Sequence, residues 1–140
     1  MRIYFLFIGL IAGFYTTAQV ECFENKTWPM PQLSEAAQKI YATKLAEARQ
    51  EYEKDSMNAE AILWLGRREA YPGNYKKAID VFTRGIALHP NDARFYRHRG
   101  HRYITLRCFD RAIEDLEKAA TLIQGQPDET EPDGIPNEKN

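Results

Sequence analysis

One hundred and forty residues, 28% of them charged and 44% hydrophobic, with a formal net charge of −1, suit a single small domain and not a membrane-spanning bundle. The near-neutral balance excludes general attraction to nucleic acid and leaves only a local basic face to consider. Two cysteines, Cys22 and Cys108, are too few for a disulfide framework.

In chain order, the first stretch is not expected to belong to the domain. Arg2 precedes an apolar run over residues 3–15, and Thr16-Thr17-Ala18-Gln19 follows it. A charged start, a short apolar stretch and small residues at its end make a secretory signal peptide over residues 1–18, cut after Ala18. The mature chain is then secreted or periplasmic, with no stable membrane insertion. The alternative is an N-terminal membrane anchor, which the run disfavours by fading short of the roughly 18–20 residues a span requires. Val20-Glu21 lacks the small residue of an acylation site ahead of Cys22. An exported chain permits a Cys22–Cys108 bond without demanding one.

Residues 19–33 are expected to be a flexible segment in which Trp28-Pro29-Met30-Pro31 blocks a helix. Residues 34–57 contain no Gly or Pro and set Ala37, Tyr41, Leu45, Ala48 and Tyr52 at helical spacing. They read as one long helix, a partial repeat capping the domain.

From residue 58 the chain repeats itself. A shift of 34 lays Ala59 on Ala93, Gly66 on Gly100, Arg68 on Arg102, Ala78 on Ala112, Ile79 on Ile113 and Leu88 on Leu122. Each unit, 58–91 and 92–124, reads as two packed helices. Asn58, Asn74 and Asp92 are placed to cap helix starts, and Pro72-Gly73 to end a helix. The second helices carry apolar stripes at i, i+3, i+4, i+7: Tyr75, Ala78, Ile79, Phe82 and Ile86, then Phe109, Ala112, Ile113, Leu116, Ala119 and Ala120. Gly66, Gly100, Ala78 and Ala112 allow close helix approach. Residues 125–140, rich in Pro, Gly and acid, cannot bury enough surface to order themselves and read as a disordered tail or linker. The second unit is therefore expected to have an uncovered edge.

Residues 59–124 resemble two tetratricopeptide repeats (TPR). The pattern of an aromatic, Leu-Gly, Tyr, Ala, Phe and Pro appears as Ile62, Leu65-Gly66, Ala78, Phe82 and Pro90, then as Tyr96, Gly100, Tyr103, Ala112 and Leu116. Departures are Ile62 for the aromatic, Glu69 for the tyrosine, and Arg99 for a leucine. The resemblance implies an all-α helix-turn-helix solenoid of about two units plus an N-terminal capping helix, similar to the N-terminal part of longer exported bacterial TPR proteins. It also implies that the first helix of each unit lines a concave groove. On that basis the groove receives Glu60, Leu63, Trp64, Arg67 and Tyr71 from one unit, and Arg94, Arg97, His98, His101 and Thr105 from the next.

Chemistry is not expected there. His98 and His101 at i, i+3 could share a metal ion, but zinc requires three or four ligands, only Cys108 and His89 are spare, and the arginines repel a cation. Catalysis would require a nucleophile and an orienting acid within reach of a histidine. No cofactor is implied. Arg94, Arg97 and Arg102 with Tyr96 or Tyr103 could hold phosphates and bases, which balanced charge and export make a poor fit. The favoured reading is a non-catalytic protein-interaction scaffold whose groove takes an acidic segment or a terminal carboxylate, since guanidinium groups fork onto carboxylates. The alternatives are arginines that only pair with neighbouring acids, self-association through the tail acids Asp128, Glu129, Glu131 and Asp133, and a structural fragment of a longer repeat protein. His98 and His101, discouraged from protonation by the arginines, would strengthen acid binding only towards acidic pH.

Overall fold

The computed structural model describes Cys22, Trp28 and residues 30–127. The expected signal peptide with its cut site, and the tail acids Asp128, Glu129, Glu131 and Asp133, lie outside the described residues. Those residues form five helices: α1 Glu35–Lys54, α2 Ala59–Ala70, α3 Tyr75–Leu88, α4 Ala93–Thr105 and α5 Phe109–Ile123. Each packs on its chain neighbour, and α2 also touches α4. Among the described residues no helix is long and apolar enough to cross a membrane.

Local signals set most of the boundaries. The side chains of Ser34, Asn58 and Asp92 accept from the amides of Ala37, Ala61 and Arg94 at the starts of α1, α2 and α4, satisfying donors that a helix N-terminus leaves open. Asn74 departs from its expected role. It precedes α3 but makes no side-chain cap bond; its amide instead donates to Glu69 Oε2 at 2.9 Å.

Glycines fix how closely the helices approach. A Cβ at Gly66 would lie 2.3 Å from the Phe82 ring, and one at Gly85 would lie 2.4 Å from the Phe95 ring. The first contact joins α2 to α3 within a unit, and the second joins α3 to α4 between units. Phe82 and Phe95 are fully buried with Ile62 and Leu106. Of the expected repeat-packing positions, Leu65, Gly66, Ala78, Gly100, Tyr103, Ala112 and Ala119 are also buried. Tyr96 and Leu116 are half-buried and Pro90 is exposed; the Tyr96 hydroxyl donates to the Pro90 carbonyl at 3.1 Å.

The register of 34 extends one helix upstream. Tyr41, Leu45, Ala48 and Tyr52 of α1 stand one period before Tyr75, Ile79, Phe82 and Ile86 of α3, so α1 has the place of a unit's second helix. The same positions one period later, on α5, are Phe109, Ile113, Leu116 and Ala120, and here Phe109 and Ile113 are 51% and 55% exposed. Among the described residues no helix lies over them as α2 lies on α1 and α4 on α3.

Both charged departures from the repeat pattern are matched by partners. Arg99 occupies the place of Leu65, and Asp115 that of Val81. The Arg99 guanidinium grips Asp115 with two bonds of 2.8 and 2.7 Å and also donates to Thr83 at 3.0 Å. Glu69, in the tyrosine place, is buried and accepts from Arg49 of α1 at 2.6 Å.

Ahead of α1, Cys22, Trp28, Met30 and Pro31 form a strap of contacts at the turns inside the two units. Cys22 and Cys108 are disulfide-bonded with Cα atoms 5.9 Å apart. Trp28 packs against the cluster of Ile79, Tyr103, Leu106 and Ala112. Met30 and Pro31 fill the space beside Gly73, whose φ of +98° favours glycine. Both turns are thereby tied to one stretch of chain.

Two outcomes follow from these contacts. Arg99→Ala should cost about 3–5 kcal/mol by leaving Asp115 buried without its partner. Arg99→Leu with Asp115→Val, which copies the Leu65/Val81 pair of the first unit, should recover nearly all of it in urea unfolding; a double variant as weak as the single would refute the account. Cys22→Ser with Cys108→Ser opens a loop of 86 residues and should lower stability by about 2–5 kcal/mol, whereas an unchanged midpoint would mean that the strap holds without its bond.

Candidate protein-interaction face

Because α2 and α4 touch, their exposed faces form one continuous surface. On α2, Trp64 carries two cations supplied by helical spacing: the Arg67 guanidinium lies 4.2 Å and the Arg68 guanidinium 4.8 Å from its ring centroid. Arg68 also lies 5.4 Å from the Tyr71 ring, and Arg67 Nη2 approaches the Tyr71 hydroxyl at 3.5 Å. Tyr71 in turn meets Tyr41 of α1, with ring centroids 5.6 Å apart. These contacts immobilise the aromatic area.

The expected groove set divides once placed in the fold. Leu63 does not line the face; it is 2% exposed and belongs to the core with Ile62 and Phe95. Arg67 is only 6% exposed, so it forms a floor and not a projecting arm. Arg94 joins the units. It donates to Asp92 through Nε at 3.0 Å and Nη2 at 2.7 Å, and across to Glu60, the residue one repeat before it. Burial alone would raise the Asp92 carboxyl, but the Arg94 hydrogen bonds and charge outweigh it and hold it below its ordinary value. Thr105 is exposed, and its hydroxyl donates to the His101 carbonyl one turn back on α4 at 3.0 Å. Arg68, which the groove set omitted, belongs to the face through Trp64 and Tyr71; its place four residues after Trp64 was the available signal.

The remaining basic groups crowd one another. Arg97 is half-buried, and burial first, then the Arg67 and Arg94 charges, push its pKa below the ordinary guanidinium value. His98 stacks on Phe82 with ring centroids 5.6 Å apart and meets His101 edge-on at 6.5 Å. Burial, reinforced by Arg97, Arg67, His101 and Arg102, pushes the His98 pKa down to about 3. His101 is lowered by burial and by Arg102 and Arg97. The expected acid-side gain in anion binding therefore cannot come from His98 near physiological pH, because that ring is a neutral core group.

The side chains that a metal reading would recruit have other contacts. Cys108 is in the disulfide, and His89 stacks on Phe95 and meets the Met57 carbonyl at 2.8 Å. Between α1 and α2 lies a cleft of about 450 Å³, lined by Trp64 and Arg68 with Ala48, Ala61, Lys44 and Glu51. It occupies the place beside α1 that the first helix of the partial unit would fill.

No family model matches the chain, and no curated protein does. Among solved structures it is similar to MamA MSR-1 C2, a TPR protein, with a TM-score of 0.56 and 23% identity over 60% of this chain and 48% of that one. The chain spans about half the length of that structure. Its fold is a TPR-like solenoid of helix-turn-helix units.

The depressed His98 pKa has a defined sign. Below pH 6.5 the unfolded chain binds a proton at this position that the folded chain refuses until about pH 3, so stability falls as pH falls through that window. His98→Phe keeps a ring against Phe82 and should remove about 2–3 kcal/mol of the acid loss between pH 6.5 and 4.5. Equal acid slopes for the two proteins, measured by urea unfolding, would contradict this.

Proposed function

We propose that the protein is an exported, non-catalytic interaction scaffold whose α2/α4 face binds an acidic segment or a chain-terminal carboxylate. The observation that carries the reading is the crowding at Arg97, where burial and the Arg67 and Arg94 charges disfavour the cation. An incoming carboxylate relieves that repulsion and supplies the geometry that guanidinium groups pair with best. Trp64 and Tyr71, already held by Arg67, Arg68 and Tyr41, add rigid aromatic area of the kind that dominates binding hot spots. Arg94 acts differently: tied to Asp92 and Glu60, it sets the spacing of the two units.

Secretion or a periplasmic location is supported by the Cys22–Cys108 bond, since disulfides persist in oxidising compartments. The TPR-like fold supports a role in holding proteins or peptides, and does not identify them.

An acidic peptide with a free C-terminal carboxylate should bind more tightly than its amide, and the difference should shrink with salt. Arg97→Glu with His101→Glu should weaken binding by about tenfold to a hundredfold, the usual worth of a charge-assisted hydrogen bond. Fluorescence anisotropy measures this directly, with circular dichroism as the folding control. Equal affinity for acid and amide, or an indifferent double variant, would overturn the proposal.

A further inference from the structure

The chain contains its own template for what covers a second-helix face. Where α4 lies on α3, the Phe95 ring sits against Gly85, His98 stacks on Phe82 at 5.6 Å, and the Arg102 guanidinium lies 5.8 Å from the Tyr75 ring. Arg99 Nη1 meanwhile donates to Thr83 at 3.0 Å. One period later the same four places on α5 are Ala119, Leu116, Phe109 and Glu117. Phe109, Ile113 and Ile123 are 51%, 55% and 52% exposed, so among the described residues this stripe is formed but uncovered, with Leu116 half-buried and Ala119 buried beneath it.

We infer that the outer face of α5 is the docking surface for a basic amphipathic helix of a partner protein, laid on it as α4 lies on α3. Two differences between the faces define the helix. Glu117 replaces Thr83, so the cation in the Arg99 place meets a carboxylate instead of a hydroxyl and makes the stronger, charge-assisted bond. Asp110 replaces Lys76 on the same flank by helical spacing. Ala119 replaces Gly85, and its methyl occupies the space in which the Phe95 ring sits, so the docking helix carries an aliphatic residue there. A second cation three residues after the first comes to lie over Phe109, as Arg102 lies over Tyr75.

Residues 126–140 do not have this chemistry: they stand one repeat on from residues 92–106 but carry Pro127, Pro132 and Pro136 with Asp128, Glu129, Glu131 and Asp133. Prolines at that density disfavour a helix, and the acids repel Glu117 and Asp110. Among its described residues a second copy offers no free helix of this type, because its α2 and α4 already lie on α1 and α3.

The test uses the full-length, disulfide-bonded chain, isotopically labelled, and a synthetic peptide copying residues 92–106 with Phe95→Leu. Titration should move the amide resonances of α5 around Phe109, Ile113, Glu117 and Ile123, with micromolar to millimolar affinity, since a peptide this short must also become helical on binding. Ile113→Lys, at an exposed position, and Glu117→Lys should each weaken binding by at least about tenfold, the scale of one charge-assisted bond. A peptide with glutamate in the Arg99 place should restore binding to the Glu117→Lys protein. Shifts confined to α2 and α4, or no shift at about 1 mM peptide, which bounds the binding free energy at roughly −4 kcal/mol, would overturn the inference. So would light scattering that finds a dimer which Ile113→Lys dissociates, because a second copy would then be the cover.

Discussion

The close approach of ring to backbone in two places, Phe82 on Gly66 and Phe95 on Gly85, is the constraint from which the rest of the fold is set. In each pair the glycine has no Cβ because an aromatic ring occupies that volume. Interiors packed to the density of organic crystals tolerate little change at such points. The Phe82 contact sets the distance from α2 to α3, and the Phe95 contact the distance from α3 to α4. Together they bring α2 and α4 side by side and let Arg94 reach Glu60. The α2/α4 face thus depends on two ring-on-glycine contacts buried beneath it.

Charge inside this solenoid is tolerated only where its partner is built in. The first unit has Leu65 and Val81 in the places where the second has Arg99 and Asp115. A buried pair of this sort need not stabilise more than the apolar one it replaces, because desolvation offsets most of the attraction. It does orient α4 against α5 through two directed bonds. Arg97, His98 and His101 stand differently: burial first, and then the like charges around them, lower their pKa values. The same helix therefore carries a directed ion pair on one face and a crowd of basic groups on another.

How much of this was legible in the sequence follows from the range of each interaction. The repeat, the helix spans and the caps at Asn58 and Asp92 were legible because they depend on residues a few positions apart. Asn74 looked like a cap by the same local rule, but buried Glu69 competes for its amide, and that competition requires the folded turn. The groove set included Leu63, which is buried, because assigning a residue to a helix does not assign its angle on that helix. Burial of His98 against Phe82 involves two units and has no local sign. The Cys22–Cys108 bond spans 86 residues, and its pairing was open until the strap brought Cys22 to the turn before α5.

The strap also explains how so short a solenoid holds together. Repeat arrays gain stability from each interface with a neighbour, and among the described residues the outer face of α5 has none, so Ile113 and Ile123 lie open to solvent. The disulfide attaches at Cys108, immediately before the first residue of α5, and Trp28 reinforces it by packing on Tyr103, Leu106 and Ala112. The start of this open-faced helix therefore receives the covalent tie. That tie lies on the turn side of α5 and leaves its apolar stripe uncovered, so the helix is secured at its start without losing the surface on which another helix can lie.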